Sequence, residues 1–188
     1  MRKFAFVLIL ASMTAIANAA DLARLEWGGF VVDNDSSSGT QDWKAAASDD
    51  GHAVTMTFSA LEAKADGATP EGKADFSGFF DISQPATDNF GKFHIDLTGY
   101  IIKSPSATAR LTLKIGNAEK TIEWTDAAAL SEKFTKSFDI IVPGGGRLPD
   151  PFPVSAEAIA SKTATGDSVF LSLNTLRIEA ANPSVAAK

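Results

Sequence analysis

The side chains with most chemical potential in this chain are acids. Asp81, Asp96, Glu123 and Glu179 fall in stretches that alternate polar and apolar residues. Two carboxylates held about 5 to 10 Å apart are the machinery of glycoside hydrolysis. Asp96 and Glu123 stand opposite apolar neighbours, which is also where solvent-facing acids sit. The aromatics Trp27, Trp43, Trp124 and Tyr100 offer a second chemistry, because an exposed ring can stack on a sugar. Trp124 shares the parity of Ile122 and is assigned to the core. Trp43 lies in the polar stretch QDWKAAAS and is the candidate exposed ring. Trp43, Asp96 and Glu123 are therefore the candidate ligand-binding residues.

Other constellations fall short on spacing. Asp33-Asn34-Asp35-Ser36-Ser37-Ser38-Gly39 looks like a calcium loop, but its glycine comes at position seven and Lys44 takes the place of the twelfth-position acid. Asp33, Asp35 and the out-of-register Asp42 remain the candidate calcium ligands, and calcium is the one cofactor left open. Gly166-Asp167-Ser168 resembles the start of an esterase nucleophile block. Its serine needs a histidine base, and none follows His94, so the turn reading is preferred. Gly144-Gly145-Gly146-Arg147 could offer amides and a guanidinium to an anion, but it lacks the Lys-Ser/Thr pair of a phosphate loop. His52 and His94 are too few for a histidine-only metal site.

Composition narrows the classes further. Of 188 residues, 45% are apolar and 21% charged, as in an ordinary globular domain. The absence of cysteine excludes a disulfide scaffold, thiolate metal sites and a cysteine nucleophile. Arg2 and Lys3, the apolar run Phe4 to Ile16 and the Ala17-Asn18-Ala19 step read as a cleavable export signal over residues 1–19. The expectation is an exported protein, periplasmic or extracellular, with one domain over residues 20–188 and no membrane insertion after cleavage. Loss of Arg2 and Lys3 takes the formal net charge from −6 to −8, which opposes binding to nucleic acid.

The elements that would position these residues have a period of two. His52 to Glu62, Phe93 to Lys103, Ala109 to Ile115 and Phe134 to Val142 alternate cleanly. Trp27 to Val32, Phe76 to Ile82, Thr121 to Thr125 and Val169 to Ile178 add four more strands. The last of these switches parity after Leu173, which predicts a bulge near Asn174-Thr175. Gly116-Asn117 predicts a hairpin. Asp126 to Lys133 and Gln41 to Ser48 are read as short helical turns. Val154 to Ser161 is open between helix, for its alanines, and strand, for its period. The expected fold is all-β, an antiparallel β-sandwich of jelly-roll or Greek-key kind with about eight strands and one or two helical turns.

Laid out in this order, the pieces Asp50-Gly51-His52-Ala53-Val54-Thr55-Met56-Thr57-Phe58-Ser59-Ala60, Leu97-Thr98-Gly99-Tyr100 and Leu171-Ser172-Leu173-Asn174-Thr175-Leu176-Arg177-Ile178 resemble a family of small secreted domains of uncharacterised function. That resemblance implies an exported β-sandwich and carries no catalytic residues. The first functional expectation is a non-catalytic binding or structural component of the cell envelope or secretome. The second is a carbohydrate-directed protein, either a module stacking sugar on Trp43 or a weak glycosidase using strand carboxylates. A polysaccharide or another envelope protein is accordingly the expected partner.

Overall fold

The computed structural model describes residues 26–35, 43–49, 53–83, 92–141 and 148–181. They form ten strands: β1 (Glu26–Asp35), β2 (Trp43–Ala47), β3 (Ala53–Ala65), β4 (Glu71–Ser83), β5 (Lys92–Lys103), β6 (Thr108–Ile115), β7 (Ala118–Trp124), β8 (Leu130–Ile141), β9 (Phe152–Ser161) and β10 (Val169–Ala181). Two five-stranded sheets result, a front sheet ordered β1-β4-β9-β6-β7 and a back sheet ordered β2-β3-β10-β5-β8. Every pairing is antiparallel.

From β3 onward the chain crosses between the sheets at every step but one, the β6–β7 hairpin. The inner orders β3-β10-β5-β8 and β4-β9-β6-β7 are those of a jelly roll, with β2 and β1 added as edge strands. Alternation explains why the sheets stack. On β5, Phe93, Ile95, Leu97 and Ile101 are all fully buried, while His94, Asp96, Thr98 and Tyr100 point outward. Phe76 and Phe80 from β4 and Phe152 from β9 fill the facing side of the core. Ring pairs bind the layers, with Phe93 and Phe152 centroids 5.4 Å apart and Trp124 and Phe134 5.0 Å apart.

Two backbone features set which side chains reach each face. Gly116, at a φ of 58°, turns β6 back onto β7. In β10 the register against β5 shifts between Leu173 and Thr175, so the strand carries the bulge its parity switch predicts. Leu171 and Leu173 face inward before it, and Leu176 and Ile178 after it. Gly99 sits beside that shift, paired with Leu173. A Cβ there would stand 2.2 Å from the carbonyl oxygen of Ser172 and 2.3 Å from the Phe134 ring.

The helical turns are the expectation that the structure corrects, for no helix occurs among the described residues. Trp43 to Ala47 forms β2, because Trp43 and Ala45 pack against the core when the segment pairs with β3. Val154 to Ser161 is strand throughout, a central one with β4 and β6 on either side. Its alanines are the small inward members, with Ala156, Ala158 and Ala160 all buried. Residues 126 to 129 are irregular, and β8 begins at Leu130. The carbonyls of Asp126 and Ala128 accept from the buried Lys103 amine, at 2.5 and 2.8 Å, instead of from helical amides.

Candidate functional site: the outer face of the front sheet

Alternation places one polar set of side chains from four neighbouring strands on the outer face of the front sheet. Read across β4, β9, β6 and β7, the central rung is Asp75, Glu157, Thr112 and Thr121. The rung towards the Gly116 turn is Ser77, Ser155, Lys114 and Glu119. On the other side lie Lys73, Ile159, Arg110 and Glu123, and beyond them Glu71, Ser161 and Thr108. Strands about 4.8 Å apart, with same-face residues about 7 Å apart along each, make this a patch roughly 14 Å across the strands and about 20 Å along them.

The patch is hollowed. A groove of about 780 Å3 lies over Asp75, Ser77, Thr112, Thr121, Ser155 and Glu157. A smaller hollow of about 220 Å3 continues it towards Glu71, Thr108 and Ser161. Arg110 and Glu123 line both. Part of the charge is already engaged. Lys73 holds Glu157 at 2.6 Å, and this hydrogen bond raises the lysine pKa above its ordinary 10.5. Lys114 reaches Glu119 at 3.4 Å, the Thr112 and Thr121 hydroxyls are 3.4 Å apart, and Ser161 donates to Glu71 at 3.3 Å. Arg110 and Glu123 face each other in register on β6 and β7, yet among the described residues neither forms an ion pair or a side-chain hydrogen bond. The floor thus offers free donors, free acceptors and hydroxyls to whatever lies along it.

The outer face of the back sheet has comparable charge but a closed arrangement. Arg177 on β10 contacts Glu179 at 2.5 Å and Asp96 at 3.4 Å. Asp96 also accepts from Ser137, and His94 lies 3.4 Å from it. The His94 ring is 2.9 Å from Asp139, which Lys92 holds at 2.7 Å. The bond to Asp139 raises the His94 pKa above 6.5, with the charge of Asp96 adding to it. The Ser137 hydroxyl and then the charges of His94 and Arg177 lower Asp96 below 3.8. Lys92 and His94 do the same to Asp139. A depressed carboxylate is the reverse of what a general acid requires.

The three ligand-binding candidates are not brought together. Glu123 lies in the front groove. Asp96 is fixed in the back-face network, so the sandwich core separates the two carboxylates and they cannot flank one glycosidic bond. Trp43 is not an exposed platform: its ring is partly buried at the sandwich edge, 5.8 Å from Phe76 and tilted by 60°. Asp33 and Asp35 belong to β1, which pairs with β4, and Asp42 lies outside the described residues. Among the described residues no cluster of three or more His, Asp or Glu could hold a metal ion. Gly166-Asp167 forms a turn before β10, with the Asp167 amide bonded to the Ala164 carbonyl at 3.1 Å. Among the described residues no helix is long and apolar enough to cross a membrane.

Arg110, Thr112 and Glu157 are the site residues that sequence reasoning missed as a group. One signal was available. A two-residue turn at Gly116-Asn117 sets Ile115 opposite Ala118, and counting back from it sets Arg110 opposite Glu123.

No protein-family profile matches the chain, and no curated protein sequence matches it. Among solved structures, the chain is similar to TmCBM61 in complex with β-1,4-galactotriose, at 11% identity and a TM-score of 0.36, over 82% of this chain and 90% of that one. It is similar to the CBM36-1 domain of a multidomain xylanase from the hindgut metagenome of Trinervitermes trinervoides, at 15% identity and a TM-score of 0.32, over 82% of this chain and 99% of that one. A third similar structure is the carbohydrate-binding module CBM6cm-2 from Cellvibrio mixtus lichenase 5A in complex with cellotriose, at 13% identity, a TM-score of 0.32 and 82% of this chain.

Proposed function

We propose that this protein binds carbohydrate, holding a polysaccharide along the outer face of the front sheet without transforming it. The supporting observation is the groove of about 780 Å3 whose floor is built from hydroxyls, carboxylates and cationic side chains on four adjacent strands. An open polar trough suits a ligand that presents hydroxyls along its length and does not need an apolar pocket. Its surplus of acids disfavours a phosphate backbone. Of the two functional expectations drawn from the sequence, this one favours the carbohydrate-directed reading, with the sugar placed away from Trp43.

The test is affinity electrophoresis of the full chain in gels containing soluble β-glucan, galactan, mannan or xylan. At least one polysaccharide should retard the protein. Thr112→Tyr, which places a ring on the groove floor, should abolish the retardation with the melting temperature little changed. If no polysaccharide retards the protein, or the Thr112→Tyr variant is retarded like the parent, the groove is not the binding surface.

A further inference from the structure

The pair shared by the two hollows points to a more specific ligand. Arg110 and Glu123 are the residues common to both hollows, so a sugar chain that occupies the two must lie over them. They oppose one another in register, as Lys114 and Glu119 do four residues further along each strand. Lys114 and Glu119 close to 3.4 Å, whereas Arg110 and Glu123 stay apart. An arginine can only donate hydrogen bonds and an ionised glutamate can only accept them. Such a donor and acceptor, side by side and uncommitted, match two neighbouring hydroxyls, one accepting from Arg110 and the other donating to Glu123.

The surrounding charge selects among sugars. Lys73 and Lys114 balance Glu157 and Glu119, and Asp75 with Glu123 against Arg110 leaves the groove net acidic. A carboxylate on the ligand would add a like charge to this net acidic floor, where repulsion acts within a Debye length of about 8 to 10 Å and is strongest at low salt. We infer that Arg110 and Glu123 read a vicinal diol of a neutral sugar chain and that the groove discriminates against uronate polymers. This inference rests on the carbohydrate-binding reading. In β-1,4-linked hexose chains the 2- and 3-hydroxyls are the vicinal pair that the linkage leaves free.

Isothermal titration calorimetry of the full chain tests it, using neutral β-1,4-linked gluco-, galacto- and manno-oligosaccharides. The same oligosaccharides oxidised to carboxylates at C6 serve as the charged probes. The parent should bind a neutral probe and bind its oxidised form at least about tenfold more weakly. Arg110→Gln and Glu123→Gln should each weaken neutral binding about tenfold, the effect of losing one hydrogen bond to a charged group. Glu123→Gln should at the same time narrow the gap between neutral and oxidised probes, which a merely structural role would not do. Both side chains are exposed, so circular dichroism should show unchanged folding. Neutral binding that is indifferent to both substitutions, or equal affinity for oxidised probes, would overturn the inference while leaving carbohydrate binding intact. Failure of every neutral oligosaccharide to bind would strike the carbohydrate reading itself.

Discussion

The two outer faces of this sandwich carry similar residue types and use them in opposite ways. On the back face, Arg177, Asp96, His94, Asp139 and Lys92 form one chain of contacts from β10 across β5 to β8, each charge meeting another. On the front face the ion pairs are local, and among the described residues Arg110 and Glu123 are left open where the groove meets the smaller hollow. A face whose donors and acceptors satisfy one another has little to offer a ligand. A face that withholds some of them does, since groups that only water satisfies can exchange that water for sugar hydroxyls. Charge content therefore says less about binding than the way the charge is partnered.

The strongest way to break this contrast is to disturb the backbone that sets the back face. Gly99→Ala should destabilise the fold by about 3 kcal/mol, because its Cβ would overlap the Ser172 carbonyl oxygen at 2.2 Å, and that atom is backbone. Denaturant unfolding measures it, and an unchanged midpoint would contradict the packing described. Lys103→Met comes next. The Lys103 amine donates to the Asp126 and Ala128 carbonyls, and losing it should cost about 1–3 kcal/mol. Neither substitution touches the front groove, so polysaccharide retardation of the folded fraction should persist.

The smallest effect concerns His94. Its pKa is raised above 6.5, so the ring stabilises the fold fully below that pH and loses the contribution as pH rises through the folded-state value. Asp96 and Asp139 are held below 3.8, so theirs is complete above that pH and lost as acid protonates them. The network is thus at full strength between 3.8 and 6.5. His94→Gln should lower Tm by roughly a degree or two near pH 5.5 and by less near pH 8.5, given how exposed these groups are. Sugar affinity should not follow that pH dependence. If it did, the two faces would be coupled and the contrast would fail.

Much of the sandwich was legible in the sequence. The parity switch in Val169 to Ile178 announced the β10 bulge, and Arg110, Thr112 and Lys114 stood on the outward parity of β6. β2, read as a helical turn, and β9, left open between helix and strand, are both rich in alanine, whose helix preference gives no local sign of being outweighed by sheet pairing. The groove was hidden for a different reason. β4, β9, β6 and β7 are neighbours only because the chain crosses repeatedly between sheets, so Glu157 and Asp75 meet across more than eighty positions. Trp43 misled because the polarity of its local sequence does not reveal that its ring folds onto Phe76.

The most direct test of the central claim is to map backbone amide shifts by NMR while titrating the full chain with an oligosaccharide that retards it. The shifts should cluster on β4, β6, β7 and β9 around Thr112, Glu157 and Glu123, with β5, β8 and β10 unmoved. Shifts centred on Asp96, Tyr100 and Arg177 would contradict the account and assign binding to the back face.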